Sequence, residues 1–87
     1  MHQRLTDRKL QSLKARKQRY EVMDTDVRGF GVRVTEKGQR TFILIARYPG
    51  KSNPARRAVG EYPALSLEKA RERATHWRDL VRQGIDP

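Results

Sequence analysis

Phe30-Gly31-Val32-Arg33-Val34-Thr35, then Glu36-Lys37-Gly38, then Thr41-Phe42-Ile43-Leu44-Ile45-Ala46-Arg47-Tyr48, is the stretch on which the fold turns. In its first run Phe30, Val32 and Val34 point one way and Gly31, Arg33 and Thr35 the other, the period-two pattern of a half-buried strand. Glu36-Lys37-Gly38 has the chemistry of a hairpin turn, with Gly38 free to take positive φ. The second run, rich in Ile, Leu, Phe and Tyr, is the return strand. Pro49-Gly50-Lys51-Ser52-Asn53-Pro54 is a turn-rich loop, and Ala55 to Val59 a third, shorter strand, so two successive hairpins predict an antiparallel meander. Upstream, Tyr20-Glu21-Val22-Met23 is a short extended segment leading to a turn at Asp24 to Gly29.

Helical signals flank this sheet. Leu5-Thr6-Asp7 opens a short helix, with Thr6 as cap, Asp7 in the positive first turn and Leu10 and Leu13 at helical spacing; the basic stretch Lys14 to Arg19 ends it. After Gly60-Glu61-Tyr62-Pro63 turns the chain, Ser66 caps a second helix and Gly84 stands at its C′ position. Leu67, Ala70, Ala74, Trp77 and Val81 form one apolar stripe, and a helix of about 17 residues would be about 25 Å long. Trp77 is expected to pack on the sheet. Arg71, Arg78 and Arg82 share a ridge beside Glu68, Glu72 and Asp79, which reads as a solvated, salt-bridged face.

The chain has 87 residues, room for one domain and not for two. Hydrophobic residues make up 36%, lean but clustered, which disordered segments rarely manage. The absence of cysteine excludes disulfides, zinc fingers and iron–sulfur sites. The longest apolar run, Phe42 to Ala46, is far short of the roughly 18 residues of a membrane span, and no signal-peptide core opens the chain. These features predict a soluble cytoplasmic protein.

Charge is the strongest compositional signal. Lys and Arg number 20 against 10 Asp and Glu, a formal net charge of +10. A pI of about 10.9 is the electrostatic footprint of a nucleic-acid binder. The middle of the chain carries most of the excess: Arg28, Arg33, Lys37, Arg40, Arg47, Lys51, Arg56 and Arg57 face Glu36 alone between residues 28 and 57. Arginine outnumbers lysine, and its planar fork suits phosphate and guanine.

Catalytic and metal-binding patterns fail on inspection, so no enzyme, metal or cofactor is expected. Asp24-x-Asp26-x-Arg28-Gly29 begins like a calcium loop, but puts Arg28 where an oxygen ligand belongs and Thr35 where a bidentate Glu closes the site. Gly29-Phe30-Gly31 lacks the third glycine of a phosphate loop, and a strand follows instead of a helix. His2 and His76 have no metal spacing, and Ser12, Ser52 and Ser66 have no neighbouring base.

Several motifs together carry a resemblance. Leu5-Thr6-Asp7, the run Asp26-Val27-Arg28-Gly29-Phe30-Gly31-Val32-Arg33-Val34-Thr35, and Gly38 before Thr41-Phe42 make up the first part. Gly60-Glu61-Tyr62-Pro63-Ala64-Leu65-Ser66-Leu67, Ala70-Arg71 and Gly84-Ile85-Asp86-Pro87 make up the second. Together they resemble the N-terminal arm-type DNA-binding domain of the tyrosine-recombinase integrases of prophages and genomic islands, over nearly the whole chain. The resemblance implies an α+β module, a three-stranded antiparallel sheet, with or without a short extra strand, packed against the C-terminal helix, with a short N-terminal helix. It implies that the sheet face enters the DNA major groove while phosphates are held from the flanks. It also implies that residues 1–87 are one non-catalytic domain, the catalytic tyrosine and its partners lying in a separate C-terminal domain; no His-x-x-Arg pair occurs here. Two departures stand out: Phe42 where tryptophan is common, and a longer loop after Tyr48.

On this reading Arg33, Thr41, Arg47 and Arg56 share the exposed sheet face, and Lys37, Arg40, Lys51 and Arg57 sit at turns or edges as phosphate contacts. Double-stranded DNA is the expected partner, with the parent's own recombinase domains, accessory proteins or further integrase protomers beside it. Ile43 and Ile45 are expected to face outward, either toward thymine methyl groups or under the N-terminal segment. Two other functions fit the same residues. An RNA-binding module would need exposed strand aromatics, for which Tyr48 is the candidate. A protein-docking module would use the Ile43 and Ile45 surface.

Overall fold

The computed structural model describes residues 2–87. In chain order the elements are β1 (His2–Gln3), α1 (Asp7–Ser12), β2 (Tyr20–Asp24), β3 (Phe30–Val34), β4 (Arg40–Ala46), β5 (Ala55–Tyr62) and α2 (Leu67–Arg82). The architecture is α+β, but the sheet has five strands in the order β1-β2-β3-β4-β5 and is mixed rather than purely antiparallel. The β3–β4–β5 meander is as expected. The correction lies at the N-terminal side: the extended segment at Tyr20 pairs antiparallel with β3, and His2–Gln3 adds a parallel strand outside it. Two polar residues have no alternation to reveal a strand, and their pairing with Met23 and Asp24 is non-local.

Each turn has a local cause. Gly38 adopts φ +86° and its amide donates to the Thr35 carbonyl at 2.9 Å, closing the β3–β4 hairpin. The Thr6 hydroxyl accepts from the Lys9 amide at the start of α1, and Ser66 accepts from the Lys69 amide at the start of α2. Gly84 follows α2 with φ +81°. β5 runs to Tyr62, three residues past the expected end, because a register shift between Phe42 and Ile43 lets it bulge at Val59. The Val59 carbonyl accepts from Arg73 of α2 at 2.9 Å, and the Glu61 carbonyl from the Leu65 amide at 2.7 Å.

One face of the sheet holds the core. Val22, Phe30, Val32, Val34, Phe42, Leu44 and Val59 meet Leu67, Ala70 and Ala74 of α2 and Leu5, Leu10 and Leu13 of the N-terminal segment, all buried. Phe30 stacks on Phe42 with ring centroids 5.5 Å apart, and Phe42 meets the edge of Tyr62 at 6.0 Å. The alanines of α2 let the helix approach closely, and Trp77 packs half-buried against the same cluster.

Arg71 is the second correction, because it leaves its solvated ridge for the interior. Its Nε and Nη2 donate to Asp24 at 3.2 and 3.0 Å, and Nη2 also to the Leu5 carbonyl at 2.7 Å. The Asp24 side chain, 0% exposed, accepts as well from the amides of Leu5 and Val27. Burial alone would raise the Asp24 carboxyl, but the Arg71 hydrogen bonds, the two amides and the Arg71 charge together hold it below its ordinary value. Arg82–Asp79 at 3.4 Å is the part of the expected ridge pairing that forms, beside Lys69–Glu72 at 3.4 Å. Asp24→Asn leaves the Arg71 guanidinium half-paired and should cost about 3 kcal/mol in urea unfolding. A carboxyl lowered by folding stabilises above its unfolded value of about 4 and loses that contribution as pH falls through its folded value. Stability of the unaltered chain should therefore fall below about pH 4 in a denaturation series, and less steeply in Asp24→Asn.

Candidate nucleic-acid interface

The sheet face away from α2 is built of three rows set by strand register. Glu21, Arg33, Thr41 and Glu61 form one, Met23, Gly31, Ile43 and Ala58 the next, and Ile45 with Arg56 the third. β2 and β5 lie three strand spacings apart, about 14 Å, yet Arg56 Nε donates to Glu21 Oε2 at 2.7 Å. The two side chains thus reach toward each other across β3 and β4. Arg33 Nη2 lies 3.8 Å from the same Oε2, so one carboxylate orients two guanidiniums on this face. Its hydrogen bond and then its charge raise Arg56 above the ordinary value.

This crossing accounts for Ile43. It points outward as alternation requires, yet is 0% exposed and lies outside the main core cluster. A Cβ on Gly31 would stand 2.7 Å from Met23 Sδ, so the thioether lies across Gly31 in the row that contains Ile43. The same Cβ would stand 2.7 Å from the Val22 carbonyl oxygen, which cannot swing aside as a thioether can, so glycine is needed there. The docking surface expected at Ile43 is therefore closed, while Ile45 stays half-buried. Tyr48, the aromatic an RNA-stacking face would need, is buried as well; its hydroxyl donates to the Leu44 carbonyl at 2.7 Å and Arg57 covers its ring at 3.9 Å.

An open groove of about 690 Å³ runs along the Ile45 end of this face. Met23, Gly29, Ile45 and Ala46 contribute its apolar lining, and Arg28, Arg47, Arg56 and Arg78 face one carboxylate, Glu21, across it. Among the residues expected to bind, Arg33, Thr41 and Arg56 thus share the outer face, with Arg47 just past the end of β4 at the groove. Lys37 and Lys51 are exposed on loops. Arg40 and Arg57 turn elsewhere: Arg40 donates to the Leu10 carbonyl at 2.9 Å, 5.4 Å over the Tyr62 ring, and Arg57 pairs with Asp86. The Asp86 hydrogen bond raises Arg57, and the same bond lowers Asp86. Arg28 and Arg78, read from the sequence as part of the basic middle and of a solvated helical ridge, are not among the residues expected to bind. The available signal was helical: the i±3 and i±4 neighbours of Arg78 are Ala74, Thr75, Val81 and Arg82, so it has no carboxylate within helical reach.

No group of three or more His, Cys, Asp or Glu among the described residues is placed to hold a metal ion, and no helix of these is long and apolar enough to cross a membrane. The geometry defines a basic α+β module with a strand-supported, arginine-bearing outer face.

Residues 5–87 match the family model of the arm DNA-binding domain, and the chain belongs to that family. A curated relative, described as an integrase of Enterobacteria phage P4, is 29% identical over 84 residues. That alignment takes in 97% of this chain and 19% of the relative, so the chain spans about a fifth of the relative's length.

The groove rests on Gly29, whose φ is +81° and whose carbonyl accepts from the Ile45 amide at 2.7 Å. A Cβ at Gly29 would fall on the Ile45 carbonyl oxygen. Gly29→Ala should therefore lose at least about 2 kcal/mol, from the left-handed conformation and the clash together, measured by thermal unfolding.

Proposed function

We propose that this module anchors a tyrosine-recombinase integrase to arm-type DNA sites beside its recombination core, supporting integration and excision of a mobile element. Membership of the arm DNA-binding family supports the DNA partner, and the phage P4 relative supports an integrase as the parent. Catalysis would reside outside these residues, with the parent's recombinase domains, accessory proteins or other protomers assembled around the anchored module.

The observation that carries the mechanism is the shared Glu21 carboxylate beneath Arg33 and Arg56. Sequence is read at base edges in the major groove, where arginine pairs with guanine O6 and N7 through two donors of its fork. A reader is selective when its fork is oriented before contact, because less side-chain freedom is then lost on binding. Glu21 supplies that orientation, and the buried Gly31 and Ile43 between the two ends of this contact give the two side chains a firm base. Thr41, between Arg33 and Glu61 in register, offers a hydroxyl to a neighbouring base. Lys37 and Lys51, on the loops, meet phosphates and fix register without reading sequence. Arg40 and Arg57, also expected to hold phosphate, support the N-terminal segment and the C-terminal end instead.

Arg33→Ala with Arg56→Ala should lower affinity for a duplex selected from a randomised pool by about a hundred-fold, while affinity for unrelated duplex falls about ten-fold or less. Equal losses on both duplexes would remove the base-reading role. In a salt titration of the unaltered chain, log affinity should fall linearly with log salt at a slope implying about four to seven phosphates. Duplex RNA competing as well as the selected DNA would overturn the reading.

A further inference from the structure

Arg28, Arg47 and Arg78 differ from the other groove arginine in making no ion pair, although Glu21 lines the same groove. Arg56 has Glu21. The carboxylates nearest Arg28 in sequence are committed, Asp24 to Arg71 and Asp26 to Arg4 at 2.8 Å and Arg71 at 3.7 Å. Arg47 stands just beyond β4 with no acidic neighbour in sequence closer than Glu36, and Arg78 has none at helical spacing. Among the described residues no ion pair involves any of the three.

They nevertheless converge from three separate elements. Arg28 sits on the β2–β3 turn, Arg47 at the end of β4 and Arg78 on α2, and all three line the same groove. Arg78 Nη1 lies 3.4 Å from where a Gly29 Cβ would be, which sets its guanidinium against the turn that carries Arg28. The Ile45–Gly29 hydrogen bond ties that turn to the strand that carries Arg47. Arg47 and Arg78 also flank an adjoining cavity of about 240 Å³, so the two stand together between the cavities. Three like charges gathered at one place repel one another until an anion enters. Guanidinium forks aimed from several directions suit a tetrahedral oxyanion.

We infer that Arg28, Arg47 and Arg78 form a single clamp for one phosphodiester of the DNA backbone. This rests on the DNA-binding reading above and adds to it the helix α2, which sequence reasoning had assigned to the core and to solvent. The clamp would set the depth and angle at which the sheet face meets the bases, because Arg78 fixes the backbone relative to α2 and the strands at once.

The test uses the selected duplex with each backbone phosphate replaced in turn by a neutral methylphosphonate. One position, or two adjacent ones, should cost the unaltered chain about ten-fold in affinity. Arg28→Gln with Arg78→Gln should lose at least about ten-fold on the unmodified duplex, and then less than about two-fold more at that position. Arg47→Gln alone should show the same suppression to a smaller degree, which keeps the test decisive if the double variant folds poorly. Arg8→Gln, on α1 away from the groove, should retain the full methylphosphonate effect. If both groove variants keep the full sensitivity at every phosphate while the unaltered chain still selects its duplex, the clamp is overturned and base reading stands. If the effect is suppressed equally by Arg8→Gln, the three arginines supply only diffuse charge and the clamp is again overturned. If the unaltered chain selects no duplex sequence, the base-reading proposal fails along with the clamp.

Discussion

Asp24, a carboxylate without access to solvent, is where the separate parts of this chain are joined. It receives Leu5 from the N-terminal segment, Val27 from the β2–β3 turn and Arg71 from α2. Arg71 in turn holds the Leu5 carbonyl, so no partner in the cluster is left unsatisfied on burial. β1 can lie beside β2 because Leu5 is fixed next to Asp24, and the turn that carries Arg28 and Gly29 starts from the same side chain. A small sheet with one main helix has few apolar residues with which to specify such an arrangement. A buried ion pair with matched amides has directional requirements that apolar packing lacks.

Much of this was legible beforehand. Alternation at Phe30 to Val34 and from Thr41 onward gave β3 and β4, and the caps Thr6 and Ser66 with the terminal Gly84 gave both helices to within a residue or so at most ends. Those signals are local, carried by neighbours within a turn or one strand repeat. β1 was not legible, since two polar residues have no period. Arg71 was misread for a related reason: helical spacing offered it acidic neighbours, and its actual partner lies 47 residues away in the chain. The outer face was read correctly for Arg33, Thr41 and Arg56 by parity. Parity says only that Ile43 faces outward, toward thymine methyl groups or under the N-terminal segment; it says nothing of a contact that spans β2 to β5, beneath which Ile43 lies buried.

The arginines fall into working groups that total charge does not distinguish. Arg40, Arg57, Arg71 and Arg73 hold carbonyls, carboxylates or rings of the fold itself. Arg33 and Arg56 are oriented by a carboxylate at the surface, and Arg28, Arg47 and Arg78 have none. A net charge of +10 therefore overstates what is free to meet a polyanion and understates how that part is placed. Position relative to Glu21 and Gly29 separates an oriented fork from a solvated one.

The bulge at Val59 bears on how such modules behave side by side. β5 is the open margin of the sheet, and an open margin with unspent carbonyls is a template for a strand from another molecule. Here the Val59 carbonyl is taken by Arg73 and that of Glu61 by the Leu65 amide, while Arg56, Arg57 and Glu61 bring charge to the same strand. The C-terminal half of the margin is thus chemically occupied, and its bulge breaks the straight register that an added strand would need. A strand arriving from another molecule would meet charge, spent carbonyls and a bent backbone there rather than a straight, open ladder.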